Sequence, residues 1–382
     1  MTLYTIIMFA MLFAVVPVTG GLLAVTPWLM RRNECFAVTV PAGKQNDPRL
    51  VAIKRDYSKK MGVLTAVLSV LVAAFFAYYL GGTSEAGEGL LVAVITLGTL
   101  LPIIVGFALM LSNRRKVQAI KAQDGWFAER QQVTAIVAEE EDVPGAISLA
   151  WNLLYLPILV GTFALTLIFY PQMPDLIPMK VNFAGEVTST MPKGPGVFAF
   201  PILFVAFMAA CMVFSHWSIG RSKRPTDPSA PATSALAYGM FARANSVMIV
   251  ASGLLLSAVV GVGFVLSAVG VISLEAMGAL VAVLAILMVV AALAISLVYG
   301  QAGSKLHARM QGAEFDAPLL FDDDEHWILG IIYFNRDDAS VFLPERFGIG
   351  WTLNMARPAA WGIVIGGALL TIGFIVATFA LM

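Results

Sequence analysis

The sequence predicts an all-α integral membrane protein of eight transmembrane helices with a small cytoplasmic β-sheet or hairpin appendage. Three observations lead there. The 382 residues are 59% hydrophobic and only 13% charged, against about 25% charged residues in a soluble domain. The apolar residues gather into runs long enough to cross ~30 Å of hydrocarbon at ~1.5 Å per residue. Eight such runs, at 4–28, 62–80, 89–112, 149–170, 197–217, 246–270, 276–299 and 359–381, contain no Lys, Arg, Asp or Glu. A soluble enzyme, a disordered chain and a disulfide scaffold are excluded by this composition. Twenty-four basic residues balance 24 acidic ones, so no basic field exists to recruit nucleic acid.

Orientation follows from the loops. All basic residues except Lys180 and Lys193 fall in the odd-numbered loops. The positive-inside rule makes those loops cytoplasmic and puts both termini outside. Trp28, Trp151, Trp217, Tyr299 and Trp361 mark the inner boundaries, and Tyr4, Tyr78, Tyr79 and Tyr170 the outer ones. The first span lacks a basic leader and is followed by Arg31-Arg32, which marks a retained span and not a cleaved signal. Cys35 belongs to the cytosol and Cys211 to the fifth span, so no bridge forms within the chain.

The organisation is an N-terminal membrane domain over 1–217, with a cytoplasmic loop at 31–61 and an external loop at 171–196. A flexible cytoplasmic linker at 218–245, rich in Pro, Ser and Thr at its centre, leads to the sixth and seventh spans at 246–299. Residues 270–275 hold the turn between those two spans. A cytoplasmic β-hairpin region at 300–358 and the last span at 359–382 complete the chain.

Spans without ionisable side chains do not suit a proton relay. His216, at the inner end of the fifth span, reads as an interfacial hydrogen-bonding group. Asn152 and Tyr155 share a helix face and read as an interhelical contact with an interface anchor. Gly253, Ser257 and Gly261 repeat every four residues, as do Gly362 and Gly366. That spacing lets backbones approach, for packing within the chain or, alternatively, for a dimer. Pro102, Pro157 and Pro201 kink their spans.

The loops carry the remaining information. Residues 35–41 alternate like a short strand, and Asp47-Pro48 opens a basic amphipathic helix presenting Leu50, Ile53 and Tyr57. Such a helix suits either the anionic inner leaflet or a plain positive-inside flank. The third helix continues through 113–121 and breaks near Gly125. A strand at 132–138 precedes the acidic run at 139–142. Near the end, 327–334 and 340–343 read as a hairpin turned by Asn335-Arg336-Asp337-Asp338, with 36–40 as a third strand of a small mixed sheet. Asp322-Asp323-Asp324-Glu325-His326 invites a metal reading, yet it completes neither a calcium-loop nor a zinc pattern, so no metal and no cofactor is expected. The external loop is stiffened by three prolines and a fixed turn from Asn182 to Gly185. It serves as a ligand platform or as a structural cap over the helix ends.

Pro174-x-x-Ile177-Pro178-x-Lys180-x-Asn182-x-x-Gly185-Glu186 resembles the signature of a bacterial family of polytopic membrane proteins with domains of unknown function. That family includes the sporulation-delaying toxin immunity protein. A second stretch resembles an uncharacterised C-terminal domain often attached to it: His326-Trp327, Gly330, Tyr333-x-Asn335-x-Asp337-Asp338 and Arg346-Phe347-Gly348-Ile349-Gly350-Trp351-Thr352-Leu353-Asn354. Lys180 stands where the family has His, so no imidazole chemistry is carried over to this position.

The resemblance implies a bacterial plasma-membrane protein of the immunity or signal-transduction type. It nominates Pro174, Ile177, Pro178, Lys180, Asn182, Gly185 and Glu186 to meet a peptide toxin or envelope ligand outside. His326, Trp327, Tyr333, Asn335, Asp338, Arg346, Trp351 and Asn354 are nominated to relay to, or hold, a cytosolic regulator. A transporter or flippase for an apolar or amphiphilic substrate is the alternative. An enzyme is not expected, because no His-Glu-x-x-His, Gly-x-Ser-x-Gly or Gly-rich phosphate loop is present.

Overall fold

The computed structural model describes residues 3–31, 33–80, 88–128, 143–182, 186–224, 230–311, 322–348 and 350–381. Eight helical segments in it are long and apolar enough to cross a membrane, and the chain has the all-α polytopic membrane fold. The long helices are α1 (Leu3–Leu29), α2 (Pro48–Leu80), α3 (Glu88–Gln123), α4 (Tyr155–Phe169), α5 (Gly196–Arg221), α6 (Pro231–Ala268), α7 (Leu274–Tyr299) and α9 (Pro358–Leu381). A short α8 (Ser304–Gln311) follows α7, and a 3₁₀ turn at Leu149–Leu154 leads into α4.

The local sequence explains where helices start and stop. Asp47 Oδ1 accepts the Arg49 backbone N–H at 2.8 Å with Pro48 at the first helical position. α3 ends where Gly125 takes a positive φ. Gly270, also at positive φ, turns the chain after α6, and the Ser273 hydroxyl accepts the Ala276 N–H to start α7.

α1 packs on α2 and α3, while α4, α5 and α6 form a second group. α7 touches both α1 and α6 and so bridges them. Membrane helices gain little from burying Leu against Leu, because lipid is equally apolar; close approach at small residues does the selecting. α6 shows this. A Cβ on Gly253 would overlap the Tyr155 hydroxyl, and one on Gly261 would overlap the Thr162 hydroxyl. This stripe is therefore a packing surface within the chain. Gly362 and Gly366 differ: among the described residues nothing beyond their own helix backbone lies within 4 Å of a would-be Cβ. α9 meets α5 through Phe374, stacked on Phe207 at 4.0 Å and edge-on to Phe204. Its Phe379 and Leu369 are 70% and 64% exposed, as lipid-facing side chains are.

Among the described residues, four antiparallel two-stranded hairpins complete the fold. They are β1–β2 (Glu34–Cys35, Val38–Thr39), β3–β4 (Leu176–Val181, Val187–Pro192), β5–β6 (Trp327–Ile328, Ile332–Tyr333) and β7–β8 (Phe342–Pro344, Trp351–Leu353). β3–β4 lies at one end of the bundle, here the hairpin end. The other three lie at the opposite end with the Lys- and Arg-rich loops, here the basic end.

Several expectations change. The 35–41 strand is in fact the β1–β2 hairpin, turned at Phe36-Ala37 with φ of 47° and 59°. Residues 327–334 do not pair with 340–343; Leu329-Gly330 folds the first run on itself, and Phe342–Pro344 pairs with Trp351–Leu353. Among the described residues no mixed sheet forms, and β6 and β8 are joined only by a bridge from Tyr333 to Asn354. The amphipathic stretch after Pro48 is the uninterrupted start of α2, and its Leu50 and Tyr57 are fully buried against the β1–β2 unit instead of lying on a membrane. Helix covers most of the 218–245 linker, since α5 reaches Arg221 and α6 begins at Pro231. The 132–138 strand and the 139–142 acidic run lie outside the described residues.

Candidate functional site

At the basic end, residues far apart in the chain converge on Arg346, whose side chain is 2% exposed. Its guanidinium pairs with Asp323 and Asp324, lies 3.5 Å from Glu34 Oε1, and donates to the Ala37 carbonyl (3.1 Å) and the Thr39 hydroxyl (2.8 Å). The Trp327 ring covers it at 5.1 Å. Lys121, from the end of α3, reaches Asp322 at 2.5 Å and Asp324 at 2.6 Å. Arg114 of α3 also donates to the Ala37 carbonyl, and Glu34 is held by Arg31 at 2.5 Å. The acidic run therefore binds cations of its own chain.

A planar guanidinium presents five donors in a rigid fork, against the three of a lysine ammonium, and so serves more acceptors at once. Burial opposes ionisation of Asp324, but Arg346 and Lys121 outweigh it and hold the carboxyl at about 2. Burial dominates at Glu34 and pushes its pKa up despite Arg31 and Arg346. Desolvating such charges is costly, and removing one partner from the cluster leaves another uncompensated.

Sequence reasoning missed how the two tight turns participate. Positive φ at both central residues is normally the province of Asn-Gly. Phe36-Ala37 adopts it because the Phe36 ring is captured between Tyr57 (5.3 Å) and Phe347 (6.0 Å) while two arginines take the Ala37 carbonyl. Gly330 of the facing turn sits so close that a Cβ there would come within 2.8 Å of the Ala37 Cβ.

The other nominated residues of this end knit the C-terminal module together. Asn354, fully buried, donates to the Asn335 carbonyl (2.8 Å) and the Asp338 carbonyl (3.0 Å), and accepts the Asn335 N–H at 3.1 Å. The Tyr333 hydroxyl donates to Asp338, whose carboxylate also takes Lys223 at 2.6 Å. Burial works against the Asp338 charge, yet Lys223 and Ser340 hold its pKa down. His326 lies edge-on to Tyr333 at 6.2 Å, with Trp327 against the same ring at 5.1 Å. Trp351 packs on Phe241 of α6 at 5.6 Å. Gln301, missed in the sequence, clamps the module by donating to the Gly350 carbonyl (2.7 Å) and accepting the Gly350 N–H (3.1 Å).

At the hairpin end, Ile177 and Met191 are opposite each other in register and fully buried against Val197, Phe264 and Val265. Asn182 and Glu186 close the turn on each other: the Asn182 side chain donates to the Glu186 carboxylate (2.9 Å) and accepts the Glu186 N–H (2.8 Å). Gly185 lies outside the described residues. Pro174 and Lys180 are exposed, Pro178 is half-buried, and Leu176 and Val187 are exposed apolar side chains beside them. Lys193 donates to the Met173 carbonyl at 2.8 Å.

Two features lie between the ends. His216, 1% exposed, joins α5 to the start of α4 through Asn152 Nδ2 (2.9 Å) and the Ile147 carbonyl (2.9 Å), the hydrogen bond between helices expected of Asn152, whereas Tyr155 is buried against Gly253 of α6. A groove of about 710 Å³ runs between α6 and α7, apolar except for Arg243, Ser252 and Tyr299.

Fold and site define a polytopic membrane protein with a structured module at each end of its bundle. Residues 158–205, spanning most of α4, the β3–β4 hairpin and the start of α5, match the family model described as Domain of unknown function (DUF1648). Residues 336–361 match the one described as Family of unknown function (DUF5808). No curated protein and no solved structure matches the chain.

Proposed function

We propose that this chain is a non-catalytic membrane sensor or immunity-type protein of the bacterial plasma membrane. In this reading the basic end is cytoplasmic, the β3–β4 hairpin meets a peptide or envelope ligand outside, and the cytoplasmic module relays the event or holds a regulator. One observation carries the reading: both candidate sites rest on the same rod. α6, 38 residues long and about 57 Å at 1.5 Å per residue, packs Phe264 and Val265 against Ile177 of the hairpin and, at its other end, Phe241 against Trp351 of the module. A shift of the hairpin has a direct mechanical route to the module. The exposed Leu176, Lys180 and Val187 offer an amphiphilic peptide one cation and two apolar contacts.

The test is survival of cells expressing the chain under a panel of secreted amphiphilic peptides. Protection lost on replacing Lys180, Asn182 and Glu186 together by Ala, at unchanged protein level, supports the reading; protection unchanged by the triple replacement removes it. The second reading, transport or flipping of an amphiphile, is favoured by the groove between α6 and α7, with Arg243 at the basic end of an apolar wall. Peptide or lipid flux in reconstituted vesicles, abolished by Leu287→Trp in the groove, would support that alternative.

A further inference from the structure

A second cavity, of about 320 Å³, opens at the basic end between the last turn of α1, the loop before α2 and the short α8. It is chemically unlike the α6–α7 groove. Arg31 after α1, Lys54 of α2 and both Lys305 and Arg309 of α8 line it, and Glu34 is the one carboxylate in its wall. Glu34 is already engaged by Arg31 at 2.5 Å and approached by Arg346 at 3.5 Å. Lys54 is 6% exposed; its ammonium reaches only the neutral Gln45 side-chain oxygen (2.5 Å) and the face of Trp28 (5.8 Å). Among the described residues no carboxylate pairs with Lys54, Lys305 or Arg309. The Ser304 hydroxyl in the same wall is buried without a hydrogen-bond partner there.

Cations that outnumber the carboxylates of a concave, partly desolvated site raise the free energy of the empty protein, and an anion relieves it. An oxyanion with several acceptor oxygens fits best: the Arg309 guanidinium offers a two-pronged donor, Lys305 and Lys54 offer point charges, and Ser304 offers a hydroxyl. Pro27 and Trp28 of α1, an apolar helix long enough to span a membrane, line it together with Met30, and basic pockets beside spans take anionic headgroups. We propose that this cavity is a binding site for a phosphate group, presented either by an anionic phospholipid or as a free soluble anion. The site is distinct from the hairpin and the C-terminal module, and it stands whether or not the sensor reading does.

The experiment uses the full chain in neutral detergent, with thermal unfolding followed in inorganic phosphate against chloride at matched ionic strength. A parallel arm uses nanodiscs of phosphatidylcholine with and without phosphatidylglycerol. Lys305→Gln with Arg309→Gln is the loss variant, chosen because one side chain is half-buried and the other exposed. Lys305→Arg keeps the charge. The expected result is an upward shift of several degrees with phosphate or with phosphatidylglycerol, lost in the double variant and kept in Lys305→Arg. A shift with inorganic phosphate assigns the soluble anion, and a shift only in phosphatidylglycerol nanodiscs assigns the lipid. No shift in either arm, or a shift of equal size in the double variant, overturns the proposal.

Discussion

Thr39 donates twice to a single oxygen of Asp324, through its backbone N–H and through its hydroxyl, each at 2.9 Å. Arg346 and Lys121 meet the same carboxylate from other directions. One side chain near the end of the chain thus fastens the first loop and the end of the third helix.

Replacing that carboxylate tests the arrangement. Asp324→Asn leaves Lys121 and Arg346 short of a partner and is expected to cost about 3 kcal/mol or more. Asp337→Asn, on an exposed turn of the same module, is expected to stay within about 0.5 kcal/mol. Arg346→Lys should behave like Asp324→Asn, since an ammonium cannot reproduce the fork. Denaturant melts of the detergent-purified chain, read by tryptophan fluorescence, separate these outcomes; equal stability of Asp324→Asn and Asp337→Asn would reject the interlock.

Acid should open the same contacts in a defined window. The Asp324 pKa is lowered from 3.8 to about 2 in the folded chain, so its contribution is complete above pH 4 and lost as pH falls toward 2. The linkage amounts to something on the order of 2 kcal/mol. Glu34 acts with the opposite sign: its pKa is raised, so protonating it on mild acidification favours the fold. Melting temperature is therefore expected to hold or rise from pH 7 to 4.5 and to drop below pH 4. A steady decline from pH 7 downward would contradict the sign at Glu34 and the window at Asp324.

The glycines divide by position. Gly253→Leu and Gly261→Leu drive side chains into Tyr155 and Thr162 and are expected to cost about 1–3 kcal/mol each. Gly362→Leu and Gly366→Leu on α9 meet open space and should leave heat-induced aggregation in detergent unchanged. If the α9 pair proved as damaging as the α6 pair, α9 would have a neighbour outside the described residues.

Topology is accessible through cysteine labelling. Cys35 is fully buried, and burial pushes its thiol to about 11, so almost no thiolate exists at neutral pH. In a Cys211→Ser chain an impermeant maleimide should therefore find no target. Lys180→Cys is then expected to label from outside intact cells and Arg336→Cys only after permeabilisation. Labelling of both from one side would overturn the assignment of the basic end to the cytoplasm.

The bundle was legible in the sequence because hydrocarbon imposes one strong rule, and the eight uncharged runs obey it over their whole length. The small-residue stripe at Gly253, Ser257 and Gly261, the Asp47-Pro48 start of α2 and the Asn182 turn were legible for a similar reason: each is a local device whose residues state its geometry. The basic end was not. Phe36-Ala37 carries no turn chemistry of its own, and its conformation is dictated by Arg114, Arg346 and Phe347, which no local window contains. Asp322, Asp323 and Asp324 look the same in sequence whether they await a metal ion or Lys121 and Arg346. Gln301 gave no signal, because a lone glutamine after a helix announces nothing about the strand loop it will clamp.

The long sequence distance across the Arg346 cluster has a consequence for biosynthesis. Synthesis runs from the N-terminus, so Glu34, Arg114 and Lys121 are in place while the ribosome is still making the segments that will satisfy them. Closure of this end comes after seven spans have emerged and waits for residues 322–346. A nascent chain stalled before that point exposes unmatched charge and a loose β1–β2 turn at the membrane boundary, a ready handle for proteolytic surveillance that the finished protein conceals.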